Sequence, residues 1–165
     1  MAEVGDIMRA VFRLEGERTV CLARLGHDGG AEAALDDVDE RLGAAMEALS
    51  EEGVGYPLHV IARRYALSQE DYLVLQLALL PWHGADAVRA ATEALGDPAA
   101  TPLLSHAVAL VTPEGFDDWA QATEAVLALT VFEERLVIAT ASDDAGADDK
   151  TLAPSRAVIE LLGLD

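Results

Sequence analysis

A chain of 165 residues with 52% apolar content can bury the core of one domain and is too apolar for wholesale disorder. Eleven basic against 30 acidic residues give a net charge of −19, which sets the chain against nucleic-acid phosphates and anionic membrane surfaces. The single cysteine, Cys21, excludes an internal disulfide and any multi-cysteine zinc site.

No apolar run approaches the roughly 18 residues of a membrane span, and the N-terminus shows no basic segment followed by an apolar stretch. A cytoplasmic chain is expected. The partner such charge favours is a protein with a basic surface.

Val4, Ile7, Met8, Val11 and Phe12 fall on one face of a helix. Glu15-Gly16-Glu17 leaves two continuations open for residues 11–22: the same helix carried on, which the regular stripe favours, or a hairpin around Gly16. After the Asp28-Gly29-Gly30 break, Leu35, Val38, Leu42, Met46 and Leu49 predict a second helix, ending near Ser50. Together these elements predict an antiparallel helical hairpin over residues 1–55.

Pro57 suits the first turn of a short helix carrying Leu58, Ile61, Ala62 and Tyr65. Ser68-Gln69-Glu70-Asp71 reads as the cap and acidic first turn of the next. From Tyr72 to Leu80 nearly every residue is apolar, as in a helix covered on all sides. Pro81-Trp82-His83-Gly84 closes it. A short Ala-rich helix follows from Ala85 to about Leu95, and another starts at Thr101-Pro102. Thr112-Pro113-Glu114 is expected to cap a helix bearing Phe116 and Trp119. Leu136–Thr140 and Thr151-Leu152 are expected to pair as a hairpin around the acidic 142–150 loop, with Pro154-Ser155 capping a last helix. The fold class expected is mainly α: the helical hairpin of 1–55, then a winged-helix-like domain over 56–165 with a small C-terminal β-hairpin.

The stretch PLHVIARRYALSQEDYLVLQLALL, residues 57–80, resembles the short helix, aliphatic–Ser, long apolar helix pattern of a winged-helix-like domain N-terminal to the ATPase module of bacterial AAA ATPases. Some of these ATPases are associated with contractile injection systems. The tail TLAPSRAVIELLGLD, residues 151–165, is similar to the segment that leads into that module. The resemblance covers roughly residues 56–165 and implies a regulatory or partner-recruiting role, not one carried by catalytic residues. Two departures stand out. Leu80-Pro81-Trp82-His83 occupies the place of an acidic segment of the family. There is also no G-x-x-x-x-G-K-[ST] in this chain, so ATP binding is not expected. The chain reads as an excised N-terminal domain or a standalone relative; a standalone acidic regulator, a nucleic-acid mimic and a small hydrolase are the rival readings.

Candidate chemical sites are sparse. Arg63-Arg64 suggests a DNA-reading helix pair, but the second helix offers Gln69 and Gln76 beside Glu70 and Asp71, not a basic face. The two arginines are expected to pair with carboxylates instead. His27, His59, His83 and His106 match no metal spacing, and His83 is expected to sit in a loop against Trp82. Ser105-His106 lacks a nucleophile elbow, and Cys21 between Val20 and Leu22 suits a buried inert thiol. No catalytic residue, cofactor or metal is therefore expected. Asp143, Asp144, Asp148 and Asp149 do not match a calcium loop and are expected to help dock a basic partner. Trp82 and Trp119 are the alternative anchors.

Overall fold

The computed structural model describes residues 3–141 and 149–164. Among these, α1 (Val4–Arg24) and α2 (Ala31–Glu51) form the first pair. Arg18 bonds Asp39 while Glu17 bonds Arg41, so partner numbers rise on one helix as they fall on the other, and the pair is antiparallel. Both contacts are exposed and contribute little to stability. The apolar stripe does the packing: Val11 and Leu14 of α1 and Val38 and Leu49 of α2 are buried. Residues 11–22 are helix, and no turn forms at Gly16.

Pro57 opens α3 (Pro57–Arg64), and Ala66, at φ +51°, turns the chain into α4 (Gln69–Leu79). The start of α4 is a capping box: Ser68 Oγ accepts from the Asp71 N–H at 3.1 Å while Asp71 Oδ2 accepts from the Ser68 N–H at 2.9 Å. The other Asp71 oxygen accepts from the Val131 N–H at 3.0 Å, so one carboxylate also ties α4 to a segment 60 residues away. Beyond it, Val74, Leu75, Leu77, Ala78, Leu79 and Leu80 have no exposed surface. The reason is placement: α4 touches α1, α6, α8 and both strands.

A 3-10 turn, Leu80–His83, ends α4, and Gly84 at φ +112° redirects the chain into α5 (Ala85–Leu95). Helix α6 is Leu104–Val111, beginning two residues beyond Pro102. The helix expected to start at Thr112 does not form there. Thr112 instead closes α6, its N–H and hydroxyl both bonding the Val108 carbonyl, and Gly115 at φ +89° breaks the path. Asp118 then caps α7 (Trp119–Leu127), accepting from the Gln121 N–H at 3.2 Å, which leaves Phe116 outside any helix.

After the short α8 (Thr130–Glu133), β1 (Val137–Ala141) and β2 (Lys150–Pro154) pair antiparallel, with Val137 opposite Pro154 and Ala139 opposite Leu152. The far side of β2 is held by the Leu152 N–H, donating to the Pro102 carbonyl at 2.9 Å. Ser155 caps α9 (Arg156–Leu161). The chain is thus mainly helical with a small antiparallel sheet near its C-terminus. Val11, Ala23 and Leu49 belong to the same buried cluster as Leu58, Leu75 and Leu77, so one core runs through both sides of residue 55. Among the described residues no helix is long and apolar enough to cross a membrane.

Candidate functional site

The most concentrated polar chemistry lies where α1 meets α3 and α4. Glu15, only 4% exposed, faces inward from α1. Its Oε1 accepts from His59 Nε2 of α3 at 2.7 Å, and its Oε2 accepts from the Tyr72 hydroxyl at 2.5 Å and from Gln76 Nε2. Tyr72 and Gln76 are four residues apart on α4 and so share one face, which is why both reach the same carboxylate. Burial first, and then Glu15, push the Tyr72 hydroxyl well above the usual tyrosine range, so it remains a donor. Using its amide N–H on Glu15 leaves Gln76 Oε1 buried without a hydrogen-bond partner among the described residues.

A hollow of about 790 Å³ between the end of α2, α3 and the start of α4 opens beside this cluster, with His59 and Tyr72 in its wall. Among the described residues His59 makes its hydrogen bond to Glu15 alone, and no hydroxyl or thiol bonds to its ring. Chemically the arrangement is a clasp. Three donors from two helices close on one acceptor from a third, and a buried carboxylate demands that kind of satisfaction.

A second contact explains the glycine in the middle of α1. The His83 ring stacks on Phe12 with centroids 4.1 Å apart, and a methyl group at Gly16 would lie 2.3 Å from His83 Nδ1. His83, in the 3-10 turn beside Trp82, is therefore packed on α1, and Gly16 is the space for its ring. Burial lowers the His83 pKa, against an opposing pull from Glu15. Cys21, on the same helix, is half-buried, and burial raises its pKa, as expected for a thiol of low reactivity.

A larger concavity than this hollow lies elsewhere among the described residues. The ends of α1, α5 and α6 and the first turn of α4 enclose a groove of about 1020 Å³. Leu22, Leu73, Leu95, Leu110 and Val111 contribute its apolar lining, and Leu25 and Phe116 stand at it 43% and 46% exposed. The ring of Phe116 leans on half-buried Trp119, with centroids 5.8 Å apart. Asp28, Glu70 and Glu93 supply carboxylates around this lining, and Glu114, Asp117 and Asp118 are exposed in the loop that carries Phe116. Large exposed apolar side chains gathered at a concavity mark an interaction surface more often than isolated ones do.

The residues singled out from sequence are dispersed. Asp143, Asp144 and Asp148 lie outside the described residues. Asp149 is half-buried, and its Oδ1 accepts from the Ser105 N–H at 3.0 Å and the Lys150 N–H at 2.9 Å, capping the start of α6. Trp82 is half-buried in the 3-10 turn and does not line the groove, whereas Trp119 reaches it through Phe116. Arg63 and Arg64 are exposed and form no ion pair among the described residues, contrary to the expected pairing with carboxylates. His106 is buried as a fixed neutral tautomer: Nδ1 accepts from the Leu103 N–H at 3.0 Å and Nε2 donates to the Asp97 carbonyl at 2.8 Å. Among the described residues no cluster of His, Cys, Asp and Glu has the makings of a metal site.

Sequence reasoning missed Glu15, Leu25 and Phe116. Glu15 carries no motif, although its place on the stripe side of α1 was a signal; Leu25 simply continues the apolar positions of α1. Comparison with family models, curated proteins and solved structures finds no match to this chain.

Proposed function

We propose that this chain is a non-catalytic protein-interaction domain, of the kind that precedes the ATPase module in bacterial AAA ATPases, and that it recruits a partner or controls assembly of the motor. The groove carries this reading. It is the one place where a large concavity, two exposed large apolar side chains and an acidic surround coincide among the described residues. The helical body with its C-terminal hairpin is compatible with the resemblance of residues 56–165 to that domain type. The net charge of −19 favours a basic protein surface over nucleic acid or an anionic membrane, and speeds encounter with it in a cytoplasmic setting.

The test is a photoreactive amino acid placed at position 116 in the source organism, compared with one at exposed Ile138 on β1. The expected result is a discrete protein captured from position 116 and not from 138, namely an ATPase or its cargo. The same products from both positions would remove the groove as a docking site.

A further inference from the structure

We infer that the groove seats an amphipathic α-helix with a basic polar face, supplied by a protein partner. This rests on the interaction reading above and names the chemistry of what is bound. Two features select a helix. The walls are helix faces, helix ends and the loops that follow them, and no residue of either strand is among the lining residues, so an extended peptide would find no strand edge to pair with. What the groove does offer is side-chain contact: Leu25 from the end of α1 and Phe116 from the loop after α6 stand exposed beside Leu22, Leu73, Leu95, Leu110 and Val111 of the lining. A stripe of apolar residues at helical spacing presents the matching surface, and its length suits a concavity of about 1020 Å³ better than one isolated side chain would.

Charge selects the polar face. Asp28, Glu70 and Glu93 line the groove and Asp117 and Asp118 follow Phe116, while Arg24 is the one Lys or Arg lining it among the described residues. An acidic helix would place like charges together, and a basic one is drawn in.

The probe is a peptide of about 16 residues, roughly four helical turns, with leucines at i, i+3, i+4 and i+7 spacing and lysines elsewhere. A scrambled version and a version with glutamates in place of the lysines are the controls. Binding to the full chain is read by fluorescence anisotropy. Leu25→Asp and Phe116→Asp each add negative charge, so simple attraction to an acidic surface and docking in the groove predict opposite signs. The expected result is that both variants bind the lysine peptide at least about tenfold more weakly, as loss of an apolar anchor does. The scrambled and glutamate peptides should also bind at least about tenfold more weakly than the lysine peptide. Both positions are exposed, and the uncharged Leu25→Ala and Phe116→Ala variants check that a loss does not come from misfolding.

Equal or tighter binding of the lysine peptide by the aspartate variants would overturn the inference, because the peptide would then be held by general charge. If the glutamate or scrambled peptide binds as well and is lost in the same variants, the basic helix is wrong while the groove as a docking site stands. If no peptide binds, the basic helix is again wrong, and capture from position 116 decides separately whether the groove docks a protein at all.

Discussion

The clasp around Glu15 and the groove beside Phe116 are opposites. In the clasp a polar group lies where water does not reach, and both carboxylate oxygens are occupied by the chain's own donors. In the groove apolar groups lie where water does reach, and nothing in the described chain covers Leu25 or Phe116. A satisfied buried group is complete and serves the architecture; an exposed apolar pair is incomplete and offers surface to something else. Polar residues alone are therefore a poor guide to function here. The richest cluster of them holds three helices together, and half of the residues lining the groove proposed for binding are Leu, Ala, Val and Phe.

The comparison rests first on α4 as the rigid floor for both regions. Leu77→Ala should cost about 2–5 kcal/mol, the usual range for a cavity in a close-packed core. Urea unfolding measures it, and a loss under about 0.5 kcal/mol, typical of surface changes, would mean that α4 is not the centre. Next comes the clasp itself. Glu15→Ala leaves His59, Tyr72 and Gln76 without their common acceptor and should cost about 3 kcal/mol, toward the lower end of the range for a broken buried pair because His59 is partly exposed. A loss below about 1 kcal/mol, the size of an ordinary hydrogen bond, would reduce the clasp to an ornament.

Gly16→Ala separates packing from helix propensity. On propensity alone alanine should stabilise α1 by about 1 kcal/mol. The 2.3 Å approach to the His83 ring predicts the reverse, a loss of about 1–3 kcal/mol from overpacking. A stabilised variant would show that His83 moves aside freely.

Half-buried His83, packed on α1, and buried His106, at the start of α6, give the fold a pH signature. Burial lowers the pKa of both His83 and His106 below the unfolded value of about 6.5. The unfolded chain therefore binds more protons as pH falls, and the stability these residues support is complete above about pH 6.5 and lost as pH drops toward their folded pKa values. His106→Gln should make the stability between about pH 7.5 and 5.5 fall less steeply than in the unaltered chain. An unchanged slope would mean that burial does not hold the His106 pKa below its unfolded value. The smallest effect belongs to the groove: Phe116→Ala should change stability by less than about 0.5 kcal/mol. A larger loss would make Phe116 part of the core, and the contrast between the two regions would fail.

Much of the fold was legible in the sequence because it depends on local rules. The stripe of Val4 to Phe12 made α1, Ser68 to Asp71 announced the N-cap of α4, and the nearly continuous apolar run from Tyr72, interrupted by Gln76, marked α4 as central. These signals are periodicity and short-range hydrogen bonding, which neighbouring residues settle among themselves. The helix placed at Thr112 failed because Thr112 closes α6 instead, and the cap that acts is Asp118, six residues on.

What only tertiary structure decided involves residues far apart in the chain. Glu15 meets Gln76 across 61 positions, Gly16 answers to His83, and Asp149 turns back to cap α6. Leu25 and Phe116 likewise look like ordinary apolar residues until the helix ends bring them to one groove. Composition determined that the molecule is acidic and able to fold, and periodicity determined the helices from α1 to α6. Which carboxylate would be buried, and which apolar side chains would remain uncovered, depended on how those helices pack, because burial belongs to the assembled surface and not to any residue in it.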